Sequence, residues 1–170
     1  MSGPFVYRSQ GCPCGYFTDT QKECRCTPRQ IRTYLSRISG PLLDRIDIHI
    51  DVPRVPHREL TKGAEGEESE KIRKRVIAAR LIQIGRLRSL GLHTNARMGT
   101  RHVKKFCVLK ADAEALLAQA MEELALSARA WTKILKIGRT IADLDGADDI
   151  RVEHISEAIQ YRSLDRNLWA

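Results

Sequence analysis

The chain has 170 residues and a formal net charge of +8, room for one ordinary domain or two small ones whose core needs no disulfides. An apolar share of 42% with 29% charged residues excludes a disordered chain, and no apolar run reaches the length of a membrane span. The opening Met1-Ser2-Gly3-Pro4-Phe5-Val6-Tyr7-Arg8 has neither the basic start nor the apolar stretch of a signal peptide, so a cytoplasmic location is expected.

Residues 1–11 show no clear pattern. Cys12-Pro13-Cys14 and Cys24-Arg25-Cys26 then form a compact cluster. In a reducing compartment such cysteines are metal ligands or buried thiols rather than disulfides. In extended backbone, residues two apart point the same way, so each pair can aim two sulfurs at one ion. Two pairs across the nine-residue loop 15–23 supply four ligands, Cys12, Cys14, Cys24 and Cys26, for a closed structural zinc site. Cys107 stands alone among apolar residues and reads as core.

Thr27-Pro28 predicts a helix start, with threonine as cap and proline in the first turn. Ile31, Tyr34, Leu35 and Ile38 follow at helical spacing, and Ser39-Gly40-Pro41 ends the run. Ile46-Asp47-Ile48-His49-Ile50-Asp51-Val52 alternates apolar and polar, which predicts a half-buried strand closed by Pro53 and Pro56. Residues 57–68 read as a linker. The rest predicts helices: Ser69 to about Arg88, Thr100–Cys107, Asp112–Leu124, Ser127–Leu144 and Glu153–Tyr161, each with an apolar stripe that must be buried against its neighbours. The expected fold is therefore mainly α: residues 1–56 with the cysteine cluster and one strand, the linker 57–68, and a helical bundle over 69–170.

From Lys71 to Lys110 there are twelve Lys or Arg residues and no Asp or Glu. A one-sign stretch of this kind attracts phosphates, and Lys71, Arg73, Lys74 and Arg75 are the nucleic-acid candidates. A solvated helix face explains the same run equally well. Arg45, just ahead of the expected strand, reads by chemistry alone as a surface arginine paired with Asp44 or Asp47. Arg129 lies at the start of a helix, where the dipole disfavours a cation, so a further interaction must hold it there. No G-x-x-x-x-G-K-[ST] occurs in the 170 residues. No nucleophilic triad is present, and the histidines lack metal-ligand spacing.

Several segments in one order, Cys12-Pro13-Cys14-Gly15-Tyr16, Cys24-Arg25-Cys26-Thr27-Pro28, Ser36-Arg37-Ile38-Ser39-Gly40-Pro41-Leu42-Leu43-Asp44-Arg45-Ile46-Asp47, Thr94-Asn95-Ala96, Leu126-Ser127-Ala128-Arg129, Arg139-Thr140-Ile141-Ala142-Asp143-Leu144 and Glu157-Ala158-Ile159-Gln160-Tyr161-Arg162, together resemble the magnesium-chelatase-like AAA+ ATPases. The resemblance runs from about Gly11 to the C-terminus. It implies a hexameric ring with ATP and Mg held between subunits, and its DNA-remodelling branch acts in branch migration during natural transformation. By resemblance Arg45 falls at the arginine finger, reaching the neighbour's nucleotide, and residues 1–56 are the end of an AAA+ core. Arg129 falls at the sensor-2 position of a helical lid, contacting phosphate in its own subunit.

The family's phosphate-binding loop, magnesium-binding acids and sensor-1 asparagine have no counterpart here; Arg8-Ser9-Gln10-Gly11 stands where sensor 1 is expected. The expectation is a C-terminal piece, inactive in ATP turnover alone. Two other expectations stay open: a chelatase subunit that drives metal insertion, and a stand-alone zinc-dependent nucleic-acid-binding module.

Overall fold

A computed structural model describes residues 11–17, 19, 21–37, 39–50, 52 and 66–162. They belong to two compact units, Met1–Leu43 with Val52–Arg54, and Asp44–Asp51 with Val55–Ala170.

In the first unit, a turn over Cys12–Gly15 precedes helix α1, Pro28–Leu35, and the single-turn helix α2, Gly40–Leu43. The start of α1 is doubly capped. Thr27 Oγ1 accepts from the Gln30 backbone N–H at 3.3 Å, and Gln30 Oε1 accepts from the Thr27 N–H at 2.8 Å. Two orphan donors are thereby satisfied, with Pro28 in the first turn. Ile38, placed on the stripe of α1 by the sequence, lies outside the described residues.

The second unit contains α3 (Ser69–Leu87), α4 (Thr100–Phe106), α5 (Ala111–Glu123), α6 (Ala128–Leu144) and α7 (Val152–Gln160). Short 3-10 turns at Arg88–Leu90 and Asn95–Arg97 lie between α3 and α4. Helix α6 is the hub: it packs on α3, α4 and α7, and α7 also packs on α5. Leu87, Met98, Val103, Leu117, Ile134, Ile150 and Ile155 meet in one buried cluster. Gly138 lets α6 and α7 approach closely, since a Cβ there would stand 2.9 Å from Ile155 Cδ1. From Ser69 on, the helices predicted from periodicity are all present, within a residue or two at each end, whereas α1 ends at Leu35, short of the predicted stop at Ser39-Gly40-Pro41.

The predicted strand is absent. Residues 46–50 and 52 have no regular structure, and the sole β pairing among the described residues is a bridge between Leu109 and Ile150. The alternation is real but inverted. Ile48 (47% exposed) and Ile50 (65% exposed) face outward, while His49 is buried. A strand needs a neighbour to take its hydrogen bonds. Among the described residues, the segment makes one backbone–backbone bond to the bundle, His49 N–H to the Tyr161 carbonyl at 2.8 Å. Among the described residues, no helix is long and apolar enough to cross a membrane.

Candidate functional site

The four cysteines of the first unit converge. Their sulfurs all lie within 4.8 Å of one another. Cys12 Sγ is 3.3 Å from Cys14 Sγ and 3.6 Å from Cys24 Sγ, and Cys14 Sγ is 3.6 Å from Cys24 Sγ. Four thiolates held tetrahedrally about 2.3 Å from a zinc ion have sulfur–sulfur edges of about 3.8 Å, so this cage fits such an ion. Its construction differs from the extended pairs expected. Cys12–Gly15 is a turn, closed by the Gly15 N–H on the Cys12 carbonyl at 3.1 Å, with Gly15 at φ 80°. Only glycine takes that conformation readily. The Phe17 N–H donates to Cys12 Sγ at 3.3 Å, as a thiolate ligand requires. The backbone N–H of Tyr16 and the bond to Cys12 lower the Cys14 thiol to about 6. The Cys26 backbone favours the Cys24 thiolate, but burial and the neighbouring sulfurs Cys14 and Cys12 push it up to about 12. A divalent cation at the centre of the four sulfurs would favour their thiolate forms. Cys107 is core, as expected, its thiol raised to about 11 by burial.

In the second unit, residues 44–49 are held against the α6–α7 face by side chains far away in sequence. Ser127 caps α6, its Oγ accepting from the Ala130 N–H at 3.2 Å and donating to Asp44 Oδ1 at 2.8 Å. Arg129 Nη1 donates to Asp44 Oδ2 at 2.7 Å. The fully buried Arg162 donates from Nη1 to the Ile46 carbonyl, with Nη2 3.8 Å from Asp44 Oδ1. Lys133 Nζ lies 2.8 Å from Asp47 Oδ1. Partial burial raises the Asp44 carboxyl. The bonds from Ser127 and Arg129, with the charges of Arg129 and Arg162, outweigh it and hold the group below the usual carboxylate value.

These ties revise both arginines. Arg45 pairs with neither Asp44 nor Asp47, because those acids are taken by α6. It is exposed and has no ion pair among the described residues. Arg129 does have the partner its position demanded, the Asp44 carboxylate. Ser127, Lys133 and Arg162 carried no local signal for this role; only the long-range fold brings them to residues 44–47.

The segments Thr94-Asn95-Ala96 and Arg139–Leu144 form a second, internal network. Asp143, with a fully buried side chain, accepts from Arg86, from Arg139 Nε at 3.1 Å and from Asn95 Nδ2 at 2.7 Å. Asn95 Nδ2 also reaches Thr140 Oγ1 at 3.1 Å, and Arg139 binds the carbonyls of Ala147 and Asp148. Every charge is met, which makes the cluster a clamp joining α3, α6 and the loop before α7.

Of the nucleic-acid candidates, three are occupied locally. Lys71 pairs with Glu68 at 3.4 Å, Lys74 with Glu70 at 2.9 Å, and Arg75 makes a two-pronged bond to Glu67 at 3.0 Å. Arg73 is exposed and has no ion pair among the described residues.

Comparison with known proteins places the chain among related sequences. Residues 66–162 match the C-terminal part of magnesium chelatase subunit ChlI, and residues 4–60 match magnesium chelatase subunit ChlI. Over 157 residues the chain is 43% identical to the uncharacterized protein YifB of Salmonella typhimurium. Over the same length it is 40% identical to competence protein ComM of Haemophilus influenzae. An uncharacterized protein of Mycobacterium tuberculosis is 30% identical over 157 residues. Each alignment covers 92% of this chain, but the chain spans only 30% to 31% of the length of these relatives.

Proposed function

The chain belongs to the magnesium chelatase family, and from that membership we propose that it forms the lid and ring-contact portion of an AAA+ ATPase working as a hexamer on DNA. Arg45 is the residue offered to the neighbouring subunit. A planar, permanently charged guanidinium suits the oxygens of a transferring phosphoryl group. Arg129 acts within its own subunit, reaching phosphate from the first turn of α6. ATP with magnesium supplies the phosphoryl group when bound. This chain supplies two arginines and the frame that holds them. By resemblance to ComM, the work done on DNA is branch migration during natural transformation.

The observation that carries the proposal is the fixation of residues 44–47 by Ser127, Arg129, Lys133 and Arg162. It leaves Arg45 exposed between two anchored acids, as a residue acting on another molecule must be. The Asp44 carboxylate engages Arg129, so the segment that carries Arg45 is anchored to the start of α6. The four-cysteine cage fits a zinc ion that would cross-link the first unit and take no part in chemistry, since all four positions are filled by protein.

A metal-inserting chelatase subunit is the second reading, supported by the same family match. The charge of +8 and the acid-free run from Lys71 to Lys110 favour a polyanionic substrate. Because no phosphate-binding loop lies in the 170 residues, the chain alone is expected to show no ATP turnover in a phosphate-release assay. Clear turnover that Arg129→Ala abolishes would overturn the assignment of roles.

A further inference from the structure

The acid-free run from Lys71 to Lys110 is not electrostatically uniform once folded. Its first turn is neutralised by Glu67, Glu68 and Glu70, and at its far end Lys110 pairs with Asp149 at 2.8 Å. Between these ends, Arg73, Arg80 and Arg88 stand singly, about two turns apart along α3 and its continuation. Arg101, Lys104 and Lys105 are different. All three are exposed on α4 and have no ion pair among the described residues. At 100° per residue they occupy one arc of about 100°, opposite Val103, which is buried in the core. Arg101 with Lys104 and with Lys105 are i,i+3 and i,i+4 neighbours, about 5–6 Å apart at their Cβ atoms. Lys105 Nζ lies 5.3 Å from the Phe106 ring centroid, a contact that steadies the ammonium without cancelling its charge.

Like charges on one short helix face repel one another. Val103 and Cys107 hold that face outward by packing inward. A polyanion laid along that face offsets the repulsion and releases its own counterions. We propose that the outward arc of α4, Arg101, Lys104 and Lys105, is the phosphate-contact surface for nucleic acid, and that the Lys71–Arg75 turn is not. This rests on the DNA assignment above and names the surface for it.

The test is binding of the 170-residue chain to a fluorescent oligothymidine strand, titrated across a range of potassium chloride concentrations. Arg101→Ala/Lys104→Ala/Lys105→Ala removes three contacts, each contributing about 0.7 to the slope of log affinity against log salt on single strands, so the slope falls by about 2. Lys71→Ala/Lys74→Ala/Arg75→Ala keeps the wild-type slope. Circular dichroism and the unfolding midpoint check that both variants fold, and the α4 set carries little risk because its side chains are exposed. Salt-dependent wild-type binding that survives the α4 variant and disappears in the α3 variant overturns the surface assignment while leaving the DNA assignment standing. Absence of any salt-dependent binding by the wild type overturns both.

Discussion

Arg129 sits in the first turn of α6, where the helix dipole disfavours a cation by about 0.3–1 kcal/mol at an exposed site. Its partner Asp44 is 85 residues away in sequence, and the pair offsets that cost. Ser127, Arg129 and Arg162 all converge on Asp44. Its native pKa lies below the ordinary 3.8. A lowered carboxylate stabilises the fold fully above the unfolded value and loses that contribution as pH falls through the native one. In a carbon-detected NMR titration, Asp44 should therefore titrate below 3.8, and Arg129→Ala should shift it upward. An unchanged titration in the variant would show that the pair is not formed. The cysteines give a second test at this scale. One zinc ion per chain is expected, and a chelator should make Cys12, Cys14, Cys24 and Cys26 reactive toward a thiol reagent while Cys107, raised to about 11 by burial, stays inert. Four freely reactive thiols in metal-free protein as purified would remove the site. The cysteine grouping could be read directly, because its four members fall within fifteen consecutive residues. Asp44 could not, because nothing near it in sequence indicates what it touches.

The helices of the second unit were legible because each buries a stripe with the 3.6-residue period, as α6 does with Ile134, Leu135 and Ala142. Residues 46–52 misled for a physical reason. Alternation reports which side chains share a side, not which side is inside. With no neighbouring strand among the described residues, Ile48 and Ile50 turn outward and His49 turns in. Arg139 and Asp143 stand at i,i+4 on α6, but the sequence pointed to this segment only through the family resemblance. The extension of the pair to Arg86 on α3 was not legible, since that contact joins residues 57 apart. This clamp predicts the largest single-residue stability effect in the unit. Asp143→Ala leaves the guanidinium of Arg139 buried without its charge partner, and removing one member of such a pair costs about 3–5 kcal/mol. Urea denaturation followed by circular dichroism measures it. A loss below about 1 kcal/mol would mean that the side chains rearrange to solvent and that the clamp contributes little.

For the whole molecule, the family and the mainly helical character followed from motif order and periodicity, whereas the way residues 44–49 join the helical bundle did not. The link matters for how a ring would work. Asp44, the chain neighbour of Arg45, is held by Arg129 of α6, so under the proposed roles a shift of α6 would move the backbone that carries Arg45. The most direct test uses mixed rings built from a longer chain that joins these residues to a phosphate-binding loop. One version carries Arg45→Ala and the other a disabled loop. If Arg45 acts across the subunit boundary, neither version turns over ATP alone, and a random equal mixture recovers about one quarter of the wild-type rate, the share of boundaries that pair an intact loop with an intact Arg45. No recovery on mixing, with ring assembly intact, would contradict the role in trans assigned to Arg45.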